Sequence, residues 1–304
     1  MPLRSSSPAA FPSSPAPAAA AQGSGLADRD VLVPEWPVAS RVKAVFTSRQ
    51  GGVSAPPWGS LNLGTHVGDA PASVQANRAR LSAYLAAHGA GRTVFLNQVH
   101  GSTVLQLRGQ QADGDCADAS ITAEAGLACT VMLADCLPVL LATRDGRVVA
   151  AAHAGWRGLA GSQGNEEGAF GILEATVQAV RQRARDSDAH AAAEVVAWLG
   201  PCIGPGAFEV GGDVKAAFGR DAEVHFRPRE SAGAPTGKFL ADLPALARQR
   251  LARAGVTEVH GNDGSAAWCT VTQADRYFSH RRDAGRLGST GRMAACIWID
   301  GRPG

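Results

Sequence analysis

The chain has 304 residues, 29 lysines and arginines against 27 aspartates and glutamates, and a charged fraction of 18%, below the roughly 25% of ordinary globular chains. Such a length builds one large domain or two small ones, and a formal net charge of +2 argues against nucleic acid or any other polyanion as a partner. Thirty-six glycines point to a loop-rich α/β enzyme rather than a helical bundle.

Residues 1–24 are mostly Ala, Pro and Ser and hold too little apolar surface to offset ordering entropy. They read as a disordered tail ahead of a single domain over residues 25–304. Arg4 without an apolar segment behind it is a poor targeting signal. Six widely spaced cysteines with no C-x-x-C pair read as free thiols of a reducing cytoplasm. No apolar run reaches the roughly 20 residues of a membrane span, since the stretch 127–142 is broken by Asp135 and Pro138. No membrane partner is expected.

From Val31 to Val53 two strands lead into SRQGGVS. Val42, Ala44 and Phe46 fall at period two, opposite Arg41 and Lys43, and deliver Thr47, Ser48 and Arg49 to a strand end. Arg49 with Gly51 and Gly52 either grips a phosphate or carboxylate or is a solvated arginine on a hairpin turn, and spacing alone favours the turn. The glycine-punctuated loop LNLGTHVGD, with Asn62 and His66, comes next. Ser73 reads as the N-cap of a helix carrying Val74, Leu81 and Leu85 and stopping at Gly89, with His88 answering the helix dipole at its solvated end.

Residues 93–96 form a short strand running into Asn97, Gln98, Val99 and His100. The apolar run 126–134 reads as a strand covered on both faces. It ends in Asp135 and Cys136, and Pro138 opposes continuation in a central strand. Residues 139–142 and 148–152 read as a hairpin around Asp145-Gly146 that leads to His153. His100, Cys136 and His153 thus each stand at or beyond the end of an apolar run. They offer three donors for zinc or copper, with a fourth position for water or substrate. Their wide separation excludes a zinc finger and favours a catalytic site. Taken alone, Cys136 is also read as a buried hydrophobe or as a nucleophile activated by His100 or His153.

Residues 165–170, NEEGAF, are an acidic loop, and 172–185 an amphipathic helix with Ile172, Leu173, Thr176, Val177 and Val180 on one side. A buried strand, 195–199, ends in GPCIGPGAFEV, where Cys202 and Glu209 are candidate pocket groups although a structural turn is favoured. A helix lies within 239–254 with Pro244 near its start, then a strand at 256–259. An arginine-rich loop precedes the closing strand 293–299. Its Arg281, Arg282 and Arg292 either neutralise an anionic substrate or form a solvated rim, the reading a charge run alone favours.

The motifs TSRQGGVS, NQVHG, LADCLPV, AAHAGWRG, GPCIGPGAFEV and FSHRRD with TGRMA resemble, in order, those of the bacterial laccase-domain proteins. That family was labelled multicopper polyphenol oxidase and later reassigned as purine nucleoside phosphorylase with adenosine deaminase activity. The resemblance covers nearly the whole chain after the tail. It implies a single-domain α+β fold with four layers, α/β/β/α, and mixed sheets. It implies zinc held by His100, Cys136 and His153, which are also the catalytic residues, with Arg49 near the substrate pocket and Asn97 and Gln98 beside the first ligand. Adenosine, inosine and methylthioadenosine, with phosphate, are the implied substrates. NEEGAF departs from the short link usual at that point. Copper competes for the same donors under the divalent affinity order, but eight scattered histidines without H-x-H pairs do not support a multicopper oxidase centre. A cysteine hydrolase editing cell-wall precursors, with Cys136 as nucleophile, is the competing enzyme, and an inert binding module ranks last.

Overall fold

The computed structural model describes residues 25–161, 170–187, 193–231 and 234–302; the Ala/Pro/Ser tail and nearly all of the acidic loop, 165–169, lie outside them. In chain order the strands are Val31–Leu32 (β1), Val42–Thr47 (β2), Arg92–Phe95 (β3), Val104–Gln106 (β4), Ala119–Thr122 (β5), Leu127–Leu133 (β6) and Leu137–Thr143 (β7). They continue with Val149–Ala154 (β8), Val195–Leu199 (β9), Glu209–Val210 (β10), Phe226–Ser231 (β11), Ala234–Ala241 (β12), Glu258–Gly261 (β13) and Met293–Ile299 (β14). The helices are Pro71–Ala87 (α1), Trp156–Ala160 (α2), Ile172–Ser187 (α3), Gly212–Ala217 (α4), Leu243–Arg253 (α5) and His280–Leu287 (α6).

Two mixed sheets dominate, ordered β1-β2-β14-β6-β3 and β13-β9-β7-β8-β5-β4, with β10-β12-β11 as a smaller third. The side chains show how the large sheets stack. In β6, Cys129, Val131 and Leu133 point into an apolar layer shared with Leu140 and Ala142 of β7, Val149 and Ala151 of β8, and Trp198 of β9. The intervening Ala128 and Met132 point the other way, into a cluster with Leu81, Tyr84 and Leu85 of α1. On the far side, Val139 and Leu141 of β7 and Ala150, Ala152 and Ala154 of β8 meet Leu173, Val177 and Val180 of α3 and Leu246 and Leu251 of α5. The result is helix, sheet, sheet, helix. Because both faces of β6, β7 and β8 are covered, alternation is invisible in their sequence and each reads as an unbroken apolar run.

Two local expectations are corrected. Helix α1 begins at Pro71, with Ala70 at its N-cap; proline at the first helical position loses only an N–H that would lack a partner anyway, and it outweighs Ser73. Pro138 lies inside β7 rather than stopping it, as its second residue opposite His153. Its carbonyl accepts from Gly200 at 3.0 Å. The segment 239–241 belongs to β12, and α5 starts after Asp242, whose carboxylate caps Ala245 N–H at 2.9 Å.

Two connections cross from the five-stranded to the six-stranded sheet at one end of the sandwich. The link from β3 to β4 carries His100, and the link from β6 to β7 carries Cys136. His153 has the parity of Val149 and Ala151 and so faces the space between the sheets at that end.

Candidate metal centre and its cavity

His153 is fixed first. Register pairs Ala119 of β5 with Ala152 of β8, which brings Asp118 opposite His153. His153 Nδ1 stands 2.9 Å from Asp118 Oδ1, and the fully buried carboxylate also accepts the backbone N–H groups of His100 at 2.9 Å, Gly101 at 2.7 Å and Val99 at 3.2 Å. One carboxylate therefore orients one histidine by its ring and the other by its backbone. Both links hold strained residues: His100 has φ 61° and Asp135, next to Cys136, has φ 85°, a left-handed conformation uncommon outside glycine. Asp135 is pinned by Thr270 Oγ1 and Arg281 N–H, each donating at 2.6 Å. Gly155 completes the close packing, since a Cβ there would meet His100 Cδ2 at 2.9 Å and Cys136 Sγ at 3.2 Å.

The three donor atoms lie within 4.8 Å of one another, and Cys136 Sγ is 3.9 Å from His100 Nε2. Tetrahedral zinc with bonds of about 2.0–2.3 Å sets its donors roughly 3.3–3.7 Å apart, so a contraction of about 1 Å in the widest pair closes the set. With Nδ1 of His153 engaged by Asp118, Nε2 is left for ligation, the arrangement in which an outer carboxylate fixes the tautomer of a metal-bound histidine. Burial alone would raise the Cys136 thiol, but His153 and His100 outweigh it and bring it down to about 6. Burial would lower His153, but the Cys136 sulfur and Asp118 raise it to about 9. Asp118, which burial would raise, is held below the ordinary carboxylate value by His153 and the N–H groups of Gly101 and His100. A thiolate and two imidazoles fit one zinc or copper ion. Among the described residues no other three such donors converge.

The triad opens into a cavity of ≈ 860 Å³ whose walls include the apolar Phe95, Leu96, Met132 and Leu133, the polar Asn97, Gln98, Thr65 and Asp113, and the basic His66, Arg78, His280 and Arg292. That volume is in the usual range for a small-molecule site. A smaller cavity of ≈ 450 Å³ lies on the other side of His100, lined by Ser102, Trp156, Arg157 and Asp213 among others.

The family of multi-copper polyphenol oxidoreductase laccases matches residues 43–300, which span the sandwich and all three donors. The chain belongs to this family. Its similarity to a purine nucleoside phosphorylase of Escherichia coli, YfiH, is 45% identity over 269 residues, covering 88% of this chain and 98% of that protein. A purine nucleoside phosphorylase of Pseudomonas aeruginosa is likewise 45% identical over 270 residues, with the same coverage. Among solved structures, a Neisseria meningitidis protein is similar with a TM-score of 0.75 and 42% identity, over 90% of this chain and 100% of that one. YlmD of Geobacillus stearothermophilus gives 0.71 and 30%, over 90% and 97%.

The residues that the laccase-family motifs single out differ in placement. Asn97 and Gln98 line the cavity, but the Gln98 amide is spent on the backbone of Met132, donating to its carbonyl at 2.8 Å and accepting its N–H at 2.7 Å. It extends the pairing of β3 with β6 by a side chain. Asn97 Nδ2 donates to Cys116 Sγ at 3.1 Å. Arg49 is not in the cavity wall. Its Nε donates to Gly59 O at 3.0 Å and Nη1 to Ala274 O at 2.9 Å, and its guanidinium lies 4.7 Å over Phe278. Neither the anion grip nor the solvated arginine that spacing favoured describes it, since carbonyls hold the fork. Arg281 and Arg282 are likewise bound to carbonyls, of Ala207 and Glu209 and of Thr270, Val271 and Tyr277. Only Arg292 of that group reaches the cavity. Cys202 is buried beside Cys269 on an isolated bridge, and Glu209 pairs with Lys238 and Arg229; neither lines it.

Sequence reasoning missed Asp118, Arg78 and His280. Asp118 stands immediately before the apolar strand β5, at the start of a run, whereas the ligands were marked by the ends of runs.

Proposed function

We propose that the protein is a zinc-dependent purine nucleoside phosphorylase acting on adenosine, inosine and methylthioadenosine, with adenosine deaminase activity at the same centre. The observation that carries the reading is the convergence of His100, Cys136 and Asp118-braced His153 on a cavity lined by both apolar and basic side chains. The names of relatives that match over 98% of their length support it. Copper would occupy the same donors in vitro.

The chemistry such a site supplies when loaded is Lewis acidity at an open coordination position, sufficient to bring the ionisation of water to about pH 7. The chain's own residues do the rest. Asp118 keeps a proton on His153 Nδ1 and so keeps Nε2 available, while Cys136 contributes a thiolate. Phe95, Leu96, Met132 and Leu133 form a surface for a flat purine and exclude water from the scissile bond. In phosphorolysis the bond between C1′ and the purine nitrogen breaks with its electron pair going to the base, and a proton delivered to the ring neutralises it. His66 is a poor donor, because burial and then Arg292 and Arg78 lower its pKa. His280, which also lines the cavity, takes that role, and in deamination it serves the departing amine.

A second reading has an observation of its own: Cys136, His153 and Asp118 stand in the order of a nucleophile, base and orienting carboxylate, which suits a cysteine hydrolase on cell-wall precursors. The deciding experiment follows adenosine and inosine by chromatography with metal-quantified protein, with and without phosphate. The phosphorylase reading expects about one zinc per chain, phosphate-dependent base and ribose 1-phosphate, and joint loss of metal and turnover in His100→Ala, Cys136→Ala and His153→Ala. Inosine formation alone reduces the protein to a deaminase. Turnover of a peptide-bearing substrate by chelated, metal-free protein, with none of nucleosides, establishes the hydrolase.

A further inference from the structure

We infer that the basic wall of the larger cavity, formed by Arg292, Arg78, Thr65 and His66, is an oxyanion subsite that takes free orthophosphate beside the metal centre. The inference deepens the phosphorylase reading, and rests on it only for the identity of the second substrate.

Arg292 is the centre of the argument. It is half-buried and lines the cavity, and among the described residues its guanidinium makes no salt bridge. A cation withdrawn from water normally has an anion beside it. Its protein partners are the carbonyls of Thr290 and Gly291, both reached by Nη1 at 3.2 Å. That leaves Nε and Nη2, the two parallel N–H donors on one edge of the fork, which is the edge that binds an oxyanion through two hydrogen bonds. Arg292 lines the same cavity as His100, Cys136 and His153.

The loop LNLGTHVGD is built to put it there. Asn62, fully buried, accepts Arg292 N–H at 2.9 Å and Gly64 N–H at 3.0 Å through one oxygen, and its amide nitrogen donates to Gly64 O at 3.2 Å and Asp69 at 2.9 Å. Gly64 has no room for a side chain, since a Cβ would meet Arg292 Cγ at 2.7 Å. The missing side chain is the channel through which the arginine stem passes. The same turn then presents Thr65 and His66 to the cavity.

Arg78 adds the second charge. Its Nε is anchored on Leu63 O at 2.9 Å, and it lies 3.9 Å over the Phe95 ring. The carboxylate on this wall, Asp113, is 3.5 Å from Arg78 and about half exposed, and it also accepts Phe95 N–H at 3.0 Å. Asp135, the other acid near Arg292, has both oxygens committed to Thr270 and Arg281. In the cavity lining the two arginines meet one carboxylate, Asp113.

The test is equilibrium dialysis of radiolabelled orthophosphate with the full-length, zinc-loaded protein in the absence of nucleoside, with 5′-AMP dialysed in parallel. Loss of charge-assisted hydrogen bonds predicts that Arg292→Gln weakens orthophosphate about 10-fold or more and raises the KM for phosphate in the same ratio. Its KM for inosine and its melting temperature should stay near wild type. Gly64→Ala, which keeps every charge but pushes on the arginine stem, should weaken orthophosphate in the same direction. Unchanged orthophosphate affinity in both variants, or no orthophosphate binding to wild type, overturns the subsite. So does a loss confined to 5′-AMP, which would assign the wall to the phosphate of a nucleotide. If wild type binds orthophosphate through Arg292 but releases no base from any nucleoside, the subsite stands and the phosphorylase reading falls. If base release depends on phosphate and Arg292→Gln leaves its KM unchanged, the reverse holds.

Discussion

Replacing Asp118 by asparagine changes two atoms' chemistry and almost no volume. The wild-type carboxylate, wholly buried, accepts at both oxygens: Oδ1 faces His153 Nδ1 and His100 N–H, and Oδ2 faces Gly101 and Val99 N–H. An asparagine has one oxygen to offer, so its NH₂ must face donors on one side. If the NH₂ turns to Gly101, two backbone N–H groups lose their acceptor, each costing about 1–3 kcal/mol. If it turns to His153, the imidazole answers by moving its proton to Nε2, the atom needed for the metal. Mutation of an outer-shell partner typically costs 10–100-fold in metal affinity, or roughly 1.4–2.8 kcal/mol at about 1.4 kcal/mol per tenfold. The expected outcome for Asp118→Asn is therefore a 10–100-fold weaker zinc Kd by chelator competition. Nucleoside turnover at sub-saturating zinc should fall in parallel, and excess zinc should restore part of it. A variant that holds zinc within threefold of wild type would refute the claim that Asp118 sets the tautomer.

Thiol labelling checks the electrostatics. In metal-free protein the lowered Cys136 thiol should alkylate at a rate that is lost as the pH falls through about 6 and is nearly level above it, and zinc should suppress the reaction. Cys129 and Cys296, pushed up to about 12 by burial, should stay unlabelled in the folded chain. Mass mapping in a Cys116→Ser background, which removes the exposed thiol, reads all three, and a Cys136 midpoint near that of a free thiol would contradict the assignment. The Arg250–Glu174 pair, 3.1 Å apart with side chains 6% and 12% exposed, also ties α5 to Ala160 of α2 at 2.6 Å. Arg250→Met leaves Glu174 buried without its cation and should cost about 3–5 kcal/mol of unfolding free energy. Denaturant titration measures it, and a loss below about 1 kcal/mol would show that the glutamate finds another partner.

The strands covered on both faces and the three candidate donors were legible in the sequence for one physical reason. A strand covered on both faces must be apolar throughout, so β6 and β8 stand out, and a polar side chain at the end of such a run is exceptional. What was not legible depends on register and long-range closure. Asp118 becomes important only when β5 pairs with β8, a relation no local window contains. Arg49 and Arg292 look equally basic in the sequence, and their roles separate only when the carbonyls of Gly59 and Ala274 hold one fork away from the cavity while Asn62 and Gly64 steer the other into it. The layered α/β/β/α order came from resemblance, and the alternation of Cys129, Val131 and Leu133 against Ala128 and Met132 supplies its physical basis.

Two of the three donors ride on chain crossings between the sheets, and the third faces the seam between them. An ion bound at that place would act as a rivet, its tightness depending on how the plates lie. Part of the free energy of metal capture would thus be exchanged with the fit of one sheet on the other. Loosening the seam at Leu140 or Trp198, which belong to the layer against which Cys136 packs, would then weaken metal retention with all three donor side chains intact, making the hydrophobic layer itself a determinant of metal affinity.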